Sequence, residues 1–160
     1  MSPLEASNKN KLVHSSFRIR ENMLHALAKQ EHTTSTSGPS SKLMAVDDES
    51  DITFTLKKEL EQSGFSVDVF NDPTTALSNF EADYYDLILL DVKMPQMNGF
   101  ELYQEIKKKD KNVKACFVTA YEVYYESLKK EFPKLNAGCF ISKPVDMNDL
   151  VNRIKKELFN

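Results

Sequence analysis

The chain has 160 residues, of which 41% are hydrophobic and 28% are charged, and its formal net charge is −3. This length allows one domain with a substantial core, and the slight negative charge gives no reason to expect nucleic acid as the main partner. No apolar run is long enough to span a bilayer, and the N-terminus lacks the apolar core of a signal peptide, so we expect a cytoplasmic protein without membrane insertion.

The first 41 residues differ in texture from the rest of the chain. A Ser/Thr-rich stretch at residues 33–41 offers little to bury, which predicts a flexible linker. Before it, apolar residues between Phe17 and Ala28 favour a short amphipathic helix, although a frayed tail with transient helix fits equally well. We therefore divide the chain into an N-terminal extension, residues 1–41, and a domain, residues 42–160.

Within the domain, short apolar runs alternate with amphipathic stretches, a pattern typical of an α/β fold with a parallel sheet. Strands are predicted at residues 43–46, 65–70, 87–90, 113–118 and 138–141. Helices are predicted around residues 52–60, 73–80, 99–109, 121–132 and 146–158. The order of the strands within the sheet does not follow from this pattern.

Several local expectations accompany these elements. Gly64 should end the first helix and Asp72 should cap the second. Cys116 and Cys139 fall in predicted strands, and we expect both to be reduced residues of the core. The apolar face of the first helix is predicted to comprise Ile52, Phe54, Leu56 and Leu60.

The carboxyl ends of the strands in a parallel sheet all open at one edge, where ligands bind in open α/β sheets. That edge would bring together Asp47 and Asp48 after strand one, Asp91 after strand three, Thr119 after strand four and Lys143 after strand five. Crowded carboxylates are best tolerated around a hard cation such as Mg²⁺, and a lysine and a hydroxyl could hold a phosphoryl group. One carboxylate could be a nucleophile that forms an acyl phosphate, and Asp91 is the best candidate because it ends the most buried strand.

Residues 42–160 resemble a response regulator receiver domain. The resemblance rests on four motifs in order, Val46-Asp47-Asp48, Leu89-Leu90-Asp91-Val92-Lys93-Met94-Pro95 with Asn98-Gly99, Val118-Thr119-Ala120, and Phe140-Ile141-Ser142-Lys143-Pro144. It implies a flavodoxin-like, doubly wound sheet of five parallel strands in the order 2-1-3-4-5, with helices on both faces. It also implies a cis peptide bond before Pro144.

The resemblance further implies roles for individual residues. Asp91 would accept a phosphoryl group from a histidine kinase or a phosphotransfer protein. Asp48 would bind Mg²⁺ directly, Asp47 would bind it largely through water, and Lys93 would contribute its backbone carbonyl.

The same family pattern implies how the phosphoryl group would be sensed. Thr119 and Lys143 would contact its oxygens, and Phe140 matches an aromatic residue that moves inward when Thr119 is drawn towards the phosphate. Since Phe lacks a hydroxyl, this movement would work by packing alone. A tyrosine cluster on the fourth predicted helix, at residues 121, 124 and 125, is either a partner surface or amphipathic packing.

The leading hypothesis is a stand-alone receiver that is phosphorylated on Asp91 and signals through contacts with an unknown output protein. It would not be an enzyme beyond its own phosphorylation and dephosphorylation. The chain ends soon after the last predicted helix, so we expect no C-terminal output domain. Two alternatives are a pseudo-receiver that binds partners without phosphotransfer, and a Mg²⁺-dependent phosphatase with an aspartyl-phosphate intermediate. The phosphatase would usually carry an Asp-x-Asp motif, whereas the residue two positions after Asp91 is Lys93.

Overall fold

A computed structural model describes residues 40–120, 130 and 139–160. In this part of the chain the strands are β1 (Lys42–Val46), β2 (Ser66–Phe70), β3 (Leu87–Asp91), β4 (Lys114–Thr119) and β5 (Cys139–Ser142). The helices whose two ends both lie within this part are α1 (Ser50–Gln62), α2 (Pro73–Asn79), α3 (Gly99–Lys109) and α4 (Met147–Phe159). The predicted helix at residues 121–132 with its tyrosine cluster, and almost all of the extension, lie outside the described residues.

The five strands form one parallel sheet in the order β2-β1-β3-β4-β5. This confirms the flavodoxin-like fold class, whose strand order came from the resemblance. β3 is buried at all five positions because it lies in the middle of the sheet with helices against both faces. Its last residue, Asp91, is therefore held by a rigid strand and is largely shielded from water.

Alternate residues of the strands supply two separate cores, one on each face of the sheet. On one face, Ile88 and Leu90 pack with side chains of α2 and α3, including the fully buried Phe100. On the other face, Leu87 and Leu89 pack with side chains of α1 and α4. The two cores hold β1, β3 and β4 in a fixed register. This register sets the relative positions of the residues at the carboxyl ends of these strands.

Three local predictions, at the end of α1, the start of α2 and the bond before Pro144, are confirmed. Gly64 follows the end of α1 with a φ of 92°, a left-handed conformation that glycine adopts without steric cost. The carboxylate of Asp72 accepts a hydrogen bond of 2.6 Å from the backbone N–H of Thr75, which confirms the predicted cap of α2. The Lys143–Pro144 peptide bond is cis, as the resemblance implied.

The predicted buried face of α1 was wrong at Phe54, which is 70% exposed. Thr53, Leu56 and Leu60 are the buried residues of this helix. These positions recur three and four residues apart and so lie on one face, whereas Phe54 is turned by about 100° from Thr53. Hydrophobicity alone placed Phe54 inside, but the helical period puts it on the solvent side.

The prediction that both cysteines are reduced was also wrong, because Cys116 and Cys139 form a disulfide. The two residues lie directly opposite each other in the register of β4 and β5, with their Cα atoms 4.5 Å apart. Both side chains are buried. The strand order implied by the resemblance already made β4 and β5 neighbours, but the sequence did not show the register that places the two cysteines opposite each other.

None of the helices among the described residues combines the length and the apolar character that crossing a membrane requires.

Candidate functional site

Three aspartates meet at the carboxyl edge of the sheet, as predicted. Asp91 is the last residue of β3, and Asp47 follows directly after β1, the neighbouring strand. Each of Asp47, Asp48 and Asp91 has a carboxylate oxygen within 4.8 Å of those of the other two. Asp47 and Asp91 are buried, at 2% and 6% exposure, whereas Asp48 is open to solvent. One side of the cluster is therefore enclosed by protein, and the other is accessible to a ligand.

Lys143, which follows β5, reaches across the edge into this cluster. Its Nζ lies 2.9 Å from Asp47 Oδ2 and 3.2 Å from Asp91 Oδ1. A third acid, Glu49, lies farther away at 3.9 Å and is mostly exposed. The ammonium group thus bridges the two buried carboxylates, whose negative charges would otherwise repel each other without compensation.

The electrostatics of the cluster leave Asp91 an unusually weak acid. The pKa of Asp91 is raised to about 6, mainly by burial; Lys143 opposes this increase, and the charges of Asp47 and Asp48 contribute to it. Burial lowers the pKa of Lys143, but its hydrogen bond to Asp47 and the charges of Asp91 and Asp47 outweigh this effect and raise the pKa overall. Asp91 is therefore mostly ionised at neutral pH, and Lys143 is fully charged.

The raised pKa of Asp91 predicts a pH-dependent stability of the metal-free protein. Between about pH 4 and pH 6, folded Asp91 retains a proton that the unfolded chain releases, so the free energy of unfolding falls as pH rises through this window. Asp91→Asn should remove this loss and be about 1–2 kcal/mol more stable than the wild type at pH 7.5, after allowance for partial solvent screening. Urea unfolding of both proteins in the presence of a chelator measures this difference in the free energy of unfolding. Parallel curves for the two proteins from pH 4 to 8 would contradict the prediction.

Thr119 and Phe140 lie in neighbouring strands, where the sequence placed them, with Thr119 at the end of β4 and Phe140 at the second position of β5. Thr119 is the last residue of β4, and its carbonyl accepts a hydrogen bond of 2.8 Å from the backbone N–H of Lys143. The ring of Phe140 is half-buried and lies 5.4 Å from the ring of Phe117 and 6.3 Å from that of Phe100, measured between centroids. Phe140 is thus part of an aromatic group that continues into the core on one face.

The loop after β3 carries Lys93, which is exposed, and returns to Asp91 at Gly99. The N–H of Gly99 donates a hydrogen bond of 3.1 Å to the carbonyl of Val92. A Cβ atom at position 99 would lie 2.2 Å from the backbone oxygen of Asp91, so a larger residue cannot fit there without a shift of the backbone. Glycine at the start of α3 therefore allows the helix to approach Asp91 closely.

Sequence reasoning missed one residue beside the cluster. Asn71 was not among the predicted site residues, but its side-chain amide donates a hydrogen bond of 2.8 Å to the backbone carbonyl of Asp47. Its position directly after β2 was the available signal, because β2 and β1 are neighbours and end at the same edge.

A comparison with protein families decides what kind of protein carries this cluster. The family model described as the response regulator receiver domain matches residues 43–155. The chain belongs to this family. The receiver match runs from the second residue of β1 into α4, so it includes every residue of the cluster described above.

Individual relatives agree with this assignment. The receiver is 29% identical over 117 residues to the response regulator receiver protein CpdR of Brucella abortus, covering 73% of this chain and 96% of that protein. It is 37% identical over 116 residues to a transcriptional regulatory protein, the CpxR homolog of Haemophilus influenzae, covering 72% of this chain and 49% of that protein. The chain thus spans nearly the whole of one relative but about half the length of the other.

Solved structures show the same fold. A CheY-like receiver domain protein from Methanospirillum hungatei superposes with a TM-score of 0.68 at 30% identity, over 75% of this chain and 94% of that one. TrrA of Thermotoga maritima, solved in complex with Mg²⁺ and BeF, superposes with a TM-score of 0.65 at 34% identity, over 74% of this chain and 99% of that one.

The donor set of this receiver fits a magnesium ion. Mg²⁺ takes oxygen ligands at about 2.0–2.1 Å in octahedral geometry, so oxygens that share one ion lie roughly 3–4 Å apart. The oxygens of Asp47, Asp48 and Asp91 fall close to this range, within 4.8 Å of one another. The exposed Asp48 leaves room for the water ligands that Mg²⁺ usually retains. These three residues could therefore hold the ion with little rearrangement.

Proposed function

We propose that this receiver accepts a phosphoryl group on Asp91, from a histidine kinase or a phosphotransfer protein, in a Mg²⁺-dependent reaction. The observation that supports this proposal is the cluster of Asp47, Asp48, Asp91 and Lys143 at one edge of the sheet, in a chain of the receiver family. Phosphorylation would then change the affinity of the domain for an output protein.

The transfer step follows from the atoms at the site. An ionised oxygen of Asp91 attacks phosphorus, and the bond from phosphorus to the donor nitrogen breaks. That nitrogen keeps the bonding electron pair and takes up a proton as it leaves. Bound Mg²⁺ would offset the negative charge that gathers on the phosphoryl oxygens. Asp47 and Asp48 would hold the ion together with Asp91, and Lys93 would add its backbone carbonyl.

Lys143 and Thr119 would contact the phosphoryl group once it is bound to Asp91. The ammonium of Lys143 already lies 3.2 Å from Asp91 Oδ1, so it is next to any group bonded to that carboxylate. We assign to the Thr119 hydroxyl a hydrogen bond to a phosphoryl oxygen. Movement of Thr119 towards the phosphate would open space for the ring of Phe140, which packs on Phe117 and has no hydroxyl to anchor it.

A charge-removing variant of Lys143 tests its place beside the metal ligands. Lys143→Gln should bind Mg²⁺ about tenfold more tightly, because a positive charge that contacts both Asp47 and Asp91 is removed from the neighbourhood of a divalent cation. Titration calorimetry measures the dissociation constant. Lys42→Gln is the matched control, since Lys42 forms a similar ion pair with Asp68 at 2.7 Å, away from the site, and should leave Mg²⁺ binding unchanged. Equal affinity in wild type and Lys143→Gln would contradict the prediction.

We further propose that the protein acts in the cytoplasm, where histidine kinases present their phosphoryl groups. The disulfide between Cys116 and Cys139 argues in the other direction, because such bonds are rare in that compartment. Alkylation of free thiols in intact cells, followed by mass spectrometry of the protein, measures the oxidation state directly.

Intact mass spectrometry after incubation with phosphoramidate tests the central proposal. With Mg²⁺, the protein should gain one phosphoryl group that hydroxylamine removes, as expected of an acyl phosphate. With a chelator in place of Mg²⁺, no adduct should form. A folded, Mg²⁺-loaded protein that gains no adduct would overturn the proposal and favour the pseudo-receiver, an adaptor without phosphotransfer.

A further inference from the structure

The side chain of Asn71 connects three parts of the fold at the edge of the site. It follows β2 directly, and its amide nitrogen donates one hydrogen bond of 2.8 Å to the backbone carbonyl of Asp47 and another of 2.9 Å to Oγ1 of Thr53. Thr53 is buried in the first turn of α1 and donates its own hydroxyl hydrogen to the carbonyl of Ser50. The amide therefore joins the end of β2, the turn after β1 and the start of α1.

These bonds act on the turn that carries two of the three acids. The N–H of Asp47 donates to the carbonyl of Phe70 at 3.2 Å, so the backbone of Asp47 is bound to the β2 end through both its N–H and its C=O groups. The carboxylate of Asp47 accepts a hydrogen bond of 2.9 Å from the N–H of Glu49. Asp48 lies between these two fixed residues. Asn71 thus restrains the backbone from which both acids project.

Asn71 itself is exposed, which separates this role from packing in the core. Its replacement by a smaller residue removes two hydrogen bonds but leaves no cavity behind. A turn without them would occupy several conformations in the metal-free protein, and the ion would have to select the one in which the carboxylates converge. Partners that orient metal ligands in this way typically contribute ten- to a hundredfold to metal affinity, by an order-of-magnitude rule.

We propose that Asn71 is a positioning residue that holds the Asp47–Glu49 turn in the conformation required for metal binding, and so sets the affinity of the receiver for Mg²⁺. This inference rests on the proposed function, because it takes the three aspartates as the metal site. It predicts a weaker Mg²⁺ affinity without Asn71, and an unchanged rate of phosphorylation once the site is saturated with metal.

The test is calorimetric titration of Mg²⁺ into wild type, Asn71→Ala and Thr53→Val, in the absence of a phosphoryl donor. Asn71→Ala should raise the dissociation constant about tenfold, and Thr53→Val, which removes one of the two acceptors, about threefold. Tyr85→Phe is the matched control. It also removes a hydrogen bond that ends on β2, from the Tyr85 hydroxyl to Asp68 at 3.0 Å, but not one beside the acids. Its Mg²⁺ affinity should equal that of the wild type.

A kinetic measurement separates positioning from general destabilisation. Asn71→Ala should accept phosphate from phosphoramidate about tenfold more slowly at Mg²⁺ concentrations below the dissociation constant, and within about twofold of the wild-type rate at saturation. A lower saturated rate with unchanged affinity would overturn the proposal. If Asn71→Ala fails to unfold cooperatively, Thr53→Val decides alone, and wild-type affinity in that variant overturns the proposal.

The outcomes distinguish this inference from the proposed function. Wild-type protein that binds Mg²⁺ but gains no phosphoryl group would overturn the proposed function. The Mg²⁺ affinities of the variants would then still decide the role of Asn71. Equal Mg²⁺ affinity in all variants would overturn the role of Asn71 alone. Wild-type protein that binds no Mg²⁺ would overturn both.

Discussion

Asp91→Asn should lose the Mg²⁺-dependent phosphoryl adduct, with a drop in the rate of phosphorylation of at least about a hundredfold. The amide that replaces the carboxylate carries no anionic oxygen, so the nucleophile is absent. The replacement also removes one of the three acids that would hold the metal, although the asparagine side chain has nearly the same shape as that of aspartate. Intact mass after incubation with phosphoramidate and Mg²⁺, compared with the wild type at equal times, measures the effect.

The ion pair of Lys42 and Asp68 again provides the comparison. Asp68 is a partly buried aspartate paired with a lysine, as Asp91 is, but it lies in β2 away from the acidic cluster. Asp68→Asn should gain the adduct at the wild-type rate. Persistence of a hydroxylamine-sensitive adduct in Asp91→Asn would show that another carboxylate accepts the group, and peptide mapping would then locate it.

Gly99→Ala should disrupt both the stability of the domain and its phosphorylation. The added Cβ would lie 2.2 Å from the carbonyl oxygen of Asp91 and 3.3 Å from Cα of Val92, distances that require the backbone itself to move. We expect a loss of about 1–3 kcal/mol in the free energy of unfolding, as for other overpacked sites. Because the displaced backbone is that of Asp91, we also expect the phosphorylation rate to fall about tenfold or more.

Gly64→Ala separates these two effects. Gly64 has a φ of 92°, but a Cβ there would meet no atom within 4 Å. Alanine at this position should cost about 1–2 kcal/mol through its left-handed backbone conformation, without any effect at the site. Urea unfolding should thus show similar losses for the two variants, while only Gly99→Ala is slow to gain the adduct. Equal phosphorylation rates in the two variants would contradict the close approach of α3 to Asp91.

The sequence predicted which residues meet at the acidic cluster, because each of them ends or closely follows a strand. Leu87–Leu90 has no alternation, so a strand buried on both faces was evident, and the acid that ends it had to lie at the ligand-binding edge. The same reasoning placed Asp47, Thr119 and Lys143 at this edge. The order of the strands, which makes Asp47 and Asp91 neighbours, required the family resemblance.

Features that depend on contacts between elements were less accessible from the sequence. The pairing of Cys116 with Cys139 requires β4 and β5 to be adjacent and in a given register. The bonds of Asn71 require the order of β2 and β1. Phe54 was placed inside by its hydrophobicity, and only its angular position on α1 shows that it faces solvent. The disulfide and the bonds of Asn71 are thus decided by geometry between elements, whereas the exposure of Phe54 follows from the helical period within α1.

The disulfide of this receiver closes part of the chain into a covalent ring. Cys116 and Cys139 are 23 residues apart, and Thr119 belongs to the segment between them. Unfolding separates β4 from β5 but leaves the ring closed, so the denatured oxidised chain is more compact than the reduced chain and migrates faster on a non-reducing denaturing gel. In the folded state, the disulfide keeps the two ends of the segment that carries Thr119 tethered, whether or not a phosphoryl group is bound to Asp91.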